Sequence, residues 1–295
     1  MFLVWTVRLQ WILYLEHRFV FHMEKEDVFS KRRPCLMGNI LKENDLSSLQ
    51  KYRLKSEIGK SFNVVNLMEK EFVIEFMKNL AYSIGAPSEK TAASIFIKRY
   101  AFIAVISLFA MTTGNKRMNL SLDNIEMEEV ERGENWLPMI SLKDPSFEEW
   151  NGEDRDEWRK SVYRDLFANN IYPIIEHFEK TFKVSKLILW ENIAVYLFWL
   201  YETELKDSEN PNVLNDFRFL ILESEGSLFG DYHLNPIQKY YSEKNSSDVI
   251  RIRKTCCFTY QLGSKRCKTC PCTHIAKDGV CYDGENICGA VRSVT

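Results

Sequence analysis

Residues 186–205, KLILWENIAVYLFWLYETEL, decide the fold. The segment is apolar almost all round, and only Glu191 and Asn192 interrupt its middle. A helix that is hydrophobic on every face must be covered on every face. The stretch therefore reads as the central helix of a body built mostly of helices. A buried polar pair of this kind is ordinarily hydrogen-bonded core packing; the alternative is that it orients a substrate or the cysteine-rich segment near the end of the chain.

Upstream, Val65, Met68, Phe72, Phe76 and Leu80 recur at three- and four-residue intervals and mark an amphipathic helix. Pro87-Ser88-Glu89 opens the next one, with Ser88 as cap and Glu89 in the first turn, where negative charge is favoured. Its apolar face runs through Ala92, Ile95, Ile103, Ile106 and Ala110, and Gly114-Asn115 is its stop signal. The period then changes to two at Met118, Leu120 and Leu122. It slips at Asp123-Asn124, where a bulge or turn is expected, and a return strand follows Gly133 through Trp136, Ile140 and Leu142. Pro138 puts that strand at the edge of a small antiparallel sheet. Residues 148–157 are an acidic surface segment. Helical spacing resumes at Trp158, Val162 and Leu166, and Pro173 should kink or divide that helix near Ile171. Asn210-Pro211-Asn212 breaks the central helix from a further one starting at Val213. The fold class expected is α+β, mainly helical: a helical body with a small antiparallel sheet and a Cys-rich C-terminal lobe. No internal repeat is visible.

The chain has 295 residues, 45% hydrophobic and 27% charged, with a formal net charge of -2. This is globular composition with enough chain for a sizeable core. Arg8, Glu16, His17 and Arg18 interrupt the apolar residues 1–22, which fit neither a secretory signal nor a membrane span. Met23 opens MEKEDVF, and residues 1–22 read as an extension from a mis-assigned upstream start. The run AFIAVISLFAM, 101–111, is too short to cross a bilayer and reads as buried helix. The division expected is an extension at 1–22, a body at 23–250 and a metal-binding lobe and tail at 251–295. A cytosolic chain is expected, and in a reducing compartment clustered cysteines bind metal or do redox chemistry more often than they form structural disulfides.

Five of the eight cysteines lie within RKTCCFTYQLGSKRCKTCPCTH, 253–274; the other three are Cys35, Cys281 and Cys288. Cys267 and Cys270 have the spacing at which two sulfurs reach one metal across a tight turn. Cys256 and Cys257 are adjacent, so their side chains diverge unless the backbone bends or each serves a different metal atom. Four thiolates can hold a [2Fe–2S] cluster or make a tetrahedral zinc site, and spacing alone does not choose between them. Arg251, Arg253, Lys254, Lys265, Arg266 and Lys268 surround these cysteines, with no Asp or Glu from 251 to 277. Positive charge stabilises thiolates. It also favours the reduced, more negative form of an iron–sulfur centre and attracts an acidic redox partner or an anionic chelate.

The segment RKTCCFTYQLGSKRCKTC resembles the C-terminal signature of the FhuF-like ferric-siderophore reductases. Arg253, Cys256, Cys257, Tyr260, Leu262, Cys267 and Cys270 stand where that pattern puts them. Weaker likenesses run through SIFIKRYAFIAVISLFAMTTG (94–114), LILWENIAVYLFWLYE (187–202) and NPIQKYY (235–241). Two departures stand out: nine residues separate Cys257 from Cys267 where the family pattern holds ten, and Cys272 follows as Cys-Pro-Cys. The resemblance implies that Cys256, Cys257, Cys267 and Cys270 ligate a [2Fe–2S] cluster. It implies one-electron reduction of siderophore-bound Fe(III) in the cytosol. It implies as partners a ferric siderophore and a separate electron-donor protein, a ferredoxin or flavoprotein reductase, with room for peripheral membrane contact and no call for nucleic acid. Two other readings stand beside it: a zinc-stabilised nucleic-acid-binding tail, and a siderophore-binding or assembly protein without redox chemistry.

Lys98-Arg99 would pair with the acidic segment or grip an anionic siderophore, with the pairing preferred. His274 reads as solvated, Cys35 as a free thiol, and His177 and His233 take no role. There is no phosphate-binding glycine loop, no G-x-S-x-G and no H-E-x-x-H. Electrons are therefore expected from another protein and not from a bound nucleotide cofactor.

Overall fold

A computed structural model describes residues 39–130, 136–243, 250–263 and 266–273. Residues 1–22, Cys35, Gly133, Lys265, His274, Cys281 and Cys288 lie outside the described residues. The helices are α1 (Glu43–Gln50), α2 (Lys70–Ile84), α3 (Glu89–Tyr100), α4 (Phe102–Gly114), α5 (Arg155–Tyr163), α6 (Tyr172–Phe182), α7 (Lys186–Trp199) and α8 (Asn212–Arg218). The strands are β1 (Asn39–Ile40), β2 (Ser61–Asn63), β3 (Lys116–Met118), β4 (Ile125–Glu128), β5 (Ile140–Leu142) and β6 (Ser146–Glu149). The mainly helical α+β class is as expected.

The strand region forms two antiparallel three-stranded sheets, ordered β1-β6-β3 and β2-β4-β5. The slip at Asp123-Asn124 is the place where the chain changes sheets. It leaves β3, makes a 3-10 turn at Leu122–Asn124 and enters β4. The buried Asn124 side chain fixes the crossing: its Nδ2 donates to the carbonyls of Asn119 (2.9 Å) and Asp144 (3.0 Å), and its Oδ1 accepts from the Asp144 N–H at 2.7 Å. Met118, Leu120 and Leu122 are buried although only Met118 is in a strand. After Pro138, β5 is an edge strand as expected. In the acidic segment, Glu148 belongs to β6 and pairs with Arg117, and Asp154 caps α5 by accepting from the Glu157 N–H.

The stripe from Val65 to Leu80 divides at Glu69, which is extended between a 3-10 turn (Val64–Met68) and α2. Val73, Met77 and Leu80 line the core, while Phe72 and Phe76 pack half-buried against it. Ser88 caps α3 by accepting from the Thr91 N–H, and Asn115 ends α4 with φ 50 in the left-handed region. Ala101 separates α3 from α4. The run Glu89–Gly114 is, by length and composition, apolar enough to cross a membrane, but 83% of its most apolar window is buried in the fold. Between α5 and α6 the helix widens to π geometry at Arg164–Ile171, just before Pro173. Proline lacks an N–H and crowds the carbonyl four residues earlier; a wider turn relieves both. α7 lies at the centre, with Ile188, Leu189, Trp190, Ile193, Ala194 and Leu197 buried.

Candidate metal centre

Helices α3 and α7 pack together and jointly present polar groups to the cysteine segment. On α3 these are Thr91, Ser94 and Lys98, spaced three and four apart on one face. Thr91 Oγ1 donates to Gln261 Oε1 at 2.5 Å, and Ser94 Oγ donates to the Cys257 carbonyl at 3.1 Å. Lys98 Nζ lies 3.3 Å from Thr259 Oγ1 and 4.0 Å from Cys257 Sγ. On α7, the Glu191 carboxylate accepts from the backbone N–H of Lys254 at 2.6 Å and of Thr255 at 2.7 Å, and from the Thr255 hydroxyl. Arg253 Nε lies 3.7 Å from the same carboxylate. Asn192 Oδ1 accepts from Arg253 Nη2 at 2.6 Å, while its Nδ2 donates to Ser94 O and Oγ. Glu191, Asn192, Arg253 and Thr255 are all buried. The polar pair in the central helix is therefore more than internal packing: it orients the cysteine segment.

The bend that adjacent cysteines require is present. Phe258, directly after Cys257, has φ 61 in the left-handed region, and a 3-10 turn, Thr259–Leu262, turns the chain back. The Cys270 N–H donates to the Cys267 carbonyl at 3.0 Å, closing the second turn, and the Arg253 N–H donates to the Thr269 carbonyl at 2.9 Å, tying the two arms together. The sulfurs of Cys256, Cys270 and Cys272 lie within 4.8 Å of one another. Cys257 and Cys267 share a thiol–thiol hydrogen bond. The structure thus brings Cys256 and Cys270 together with Cys272, and sets Cys257 beside Cys267 as a separate pair. Cys256, Cys257 and Cys270 are buried; Cys267 and Cys272 are half-buried. An all-sulfur donor set, partly shielded from water and ringed by cations, fits a thiolate-held iron–sulfur or zinc centre.

The thiols are not equivalent. The hydrogen bond from Cys267, with Lys98 and Arg253 nearby, pulls Cys257 down to about 4 against its burial. Cys267 holds the shared proton and is raised. Burial pushes Cys256 up to about 11. Burial opposes ionisation of Cys270, but Arg266 Nη1, 3.8 Å from its sulfur, prevails and lowers it. At neutral pH the metal-free site therefore carries a thiolate at Cys257 and protonated sulfur at Cys256 and Cys267. Metal uptake must expel at least those two protons, so affinity should tighten as pH rises from 6 to 8. Zinc titration of metal-free protein across that range, with proton release read from buffers of different ionisation enthalpy, checks the sign and the count.

The cations are distributed differently from their sequence order. Arg251 forms a bidentate pair with Glu202 at 2.8 and 2.7 Å, away from the sulfurs. Arg253 turns inward to Glu191 and Asn192, and Arg266 reaches Cys270. Lys98 faces the cysteines, so its preferred pairing with the acidic segment is not what forms. The polar stripe Thr91, Ser94 and Lys98 was the missed signal: three hydrophilic side chains on one face of an otherwise buried helix. Among the unassigned histidines, His177 is depressed by burial and by Lys180, and its Nε2 is buried without a hydrogen-bond partner.

A helical body that clamps a multi-thiol group beneath a set of cations defines a protein that could hold a metal there. Within it, residues 94–236 match the family model described as Ferric iron reductase FhuF-like transporter. The match runs from within α3 to beyond α8, and it is to the family that the cysteine segment, which lies outside it, resembles. No curated protein matches the chain.

Proposed function

We propose that this protein is a cytosolic ferric-siderophore reductase whose Cys256, Cys257, Cys267 and Cys270 hold a [2Fe–2S] cluster. The FhuF-like match supports a role in reducing siderophore iron. The observation that carries the reading is that the matched region supplies the anchors of the cysteine segment: Ser94, Lys98, Glu191 and Asn192 all lie within residues 94–236.

Each group in this arrangement has a task. Glu191 fixes the backbone of residues 254 and 255 and Asn192 holds the Arg253 side chain, which together set where Cys256 and Cys257 point. Lys98 and Arg266 offset the negative charge of the thiolates, and they favour a state that gains an electron over one that does not. When bound, the cluster supplies single-electron transfer. One electron from a separate reduced carrier protein converts one chelated Fe(III) to Fe(II). Siderophores are hard oxygen chelators that hold Fe(III) far better than Fe(II), so iron leaves with the chelator intact.

Anaerobically purified protein is expected to be coloured, to contain about two iron and two sulfide per chain, and to show an electron paramagnetic resonance signal on reduction. Mixed with a ferric siderophore, the reduced protein should release Fe(II) to a ferrous chelator in single turnover. Colourless protein with stoichiometric zinc would overturn the reading.

A further inference from the structure

Three of the five described cysteines form a set of their own. The sulfurs of Cys256, Cys270 and Cys272 lie within 4.8 Å of one another, so some point lies within about 2.8 Å of all three, close to a thiolate–metal bond of about 2.3 Å. Cys257 and Cys267, the other two, are engaged with each other through their thiol–thiol hydrogen bond. Among the described residues no histidine, aspartate or glutamate joins the three sulfurs. The donor set is therefore soft and has three members.

Two arms of the chain build this set. In the first, Glu191 accepts from the N–H groups of Lys254 and Thr255, directly before Cys256. In the second, the Cys270 N–H donates to the Cys267 carbonyl at 3.0 Å and the Thr273 N–H donates to the Cys270 carbonyl at 3.1 Å, so consecutive turns curl the run Cys270-Pro271-Cys272. The Arg253 N–H, bonded to the Thr269 carbonyl, holds the arms together. Cys256 is 3% exposed and Cys270 2%, whereas Cys272 is half-buried, which leaves an entry path at Cys272. Arg266 Nη1, 3.8 Å from the Cys270 sulfur, offsets the negative charge that three thiolates around one cation would carry.

We propose that Cys256, Cys270 and Cys272 form a three-coordinate copper(I) site in the protein that lacks its cluster. Soft thiolates select Cu(I), and this ion is satisfied by three of them. Zinc in structural sites takes four donors, and here the two remaining sulfurs hold each other. Uptake is ligand exchange with no electron moved: the ion forms three bonds to sulfur, each protonated thiol releases its proton, and the ligand that carried the ion leaves. Cys256 and Cys270 also belong to the proposed cluster set, so an ion in the site keeps iron and sulfide out; this consequence alone rests on the reductase reading. Cys272 thereby gains a role that the cluster does not give it.

Metal-free full chain, kept anaerobic and titrated with the acetonitrile complex of Cu(I) against a chromogenic Cu(I) chelator, should bind one ion per chain, with three sulfur neighbours by X-ray absorption. Cys272→Ala should weaken that binding at least about tenfold, while melting where the unmodified metal-free protein does and still taking up iron and sulfide. Cys267→Ala should do the reverse, keeping its Cu(I) affinity and losing the cluster. Loading with Cu(I) first should prevent reconstitution of the unmodified protein with iron and sulfide, and the same dose should hinder Cys272→Ala far less. Two or four sulfur neighbours, or an undiminished affinity in Cys272→Ala, overturns the site. The two readings fail separately. Untreated protein that carries zinc and no sulfide overturns the reductase and leaves a three-sulfur copper result standing; an iron–sulfur protein whose metal-free form ignores Cu(I) overturns the site alone.

Discussion

Replacing Glu191 with alanine is expected to empty the metal centre and to lower the melting temperature by roughly 10 °C. The carboxylate accepts from two consecutive backbone N–H groups and one hydroxyl of the cysteine segment, and it faces the buried Arg253. Alanine leaves these donors without an acceptor and Arg253 as an uncompensated buried charge, a loss of about 3–5 kcal/mol. If the segment detaches to hydrate them, Cys256 and Cys257 leave with it, so metal content falls by either route. Glu191→Gln keeps the shape and one acceptor oxygen, and should be intermediate. Iron and sulfide assays with thermal melts decide the matter. An alanine variant that keeps its metal and melts within a degree or two of the unmodified protein would mean that Glu191 does not position the site.

The second large effect concerns the ligand set. Cys256→Ala, Cys257→Ala, Cys267→Ala and Cys270→Ala should each abolish the visible chromophore, while Cys272→Ala should retain it. Cys272 is the informative member, since its sulfur and those of Cys256 and Cys270 all lie within 4.8 Å of one another. The retained set is favoured because each of its two turns delivers a pair of sulfurs: Phe258 bends the chain beyond Cys256-Cys257, and the Cys270 N–H closes the turn from Cys267. Loss of colour in Cys272→Ala with retention in Cys267→Ala would move the fourth ligand to Cys272. Absorption and iron content of the five purified variants give the answer directly.

Much of the fold could be read along the chain because its signals are local. Ser88 caps a helix through its own hydroxyl, Asn115 adopts the left-handed stop, and Pro173 follows a widened turn. The two-sheet arrangement was not legible, since alternation records which side of a strand is buried but not which partner it pairs with. Asn124 marks the crossing through contacts with residues as distant as Asp144. At the site, residue types and spacing identified the cysteines. Spacing could not place Lys98 beside Cys257 or Glu191 beneath Thr255, contacts that span 159 and 64 positions. It also counted Arg251 with the cations at the sulfurs, although Glu202 holds that side chain elsewhere.

The distance along the chain between Ser94 and Cys257, 163 positions, has a bearing on biogenesis. Long-range closures of this kind come late in folding, and synthesis delivers residues 253–273 after both of the helices that receive them. The cysteine arm thus arrives at a finished dock, and if it holds the proposed iron and sulfide, maturation machinery would meet an already assembled body, with incorporation as the last step in making the protein.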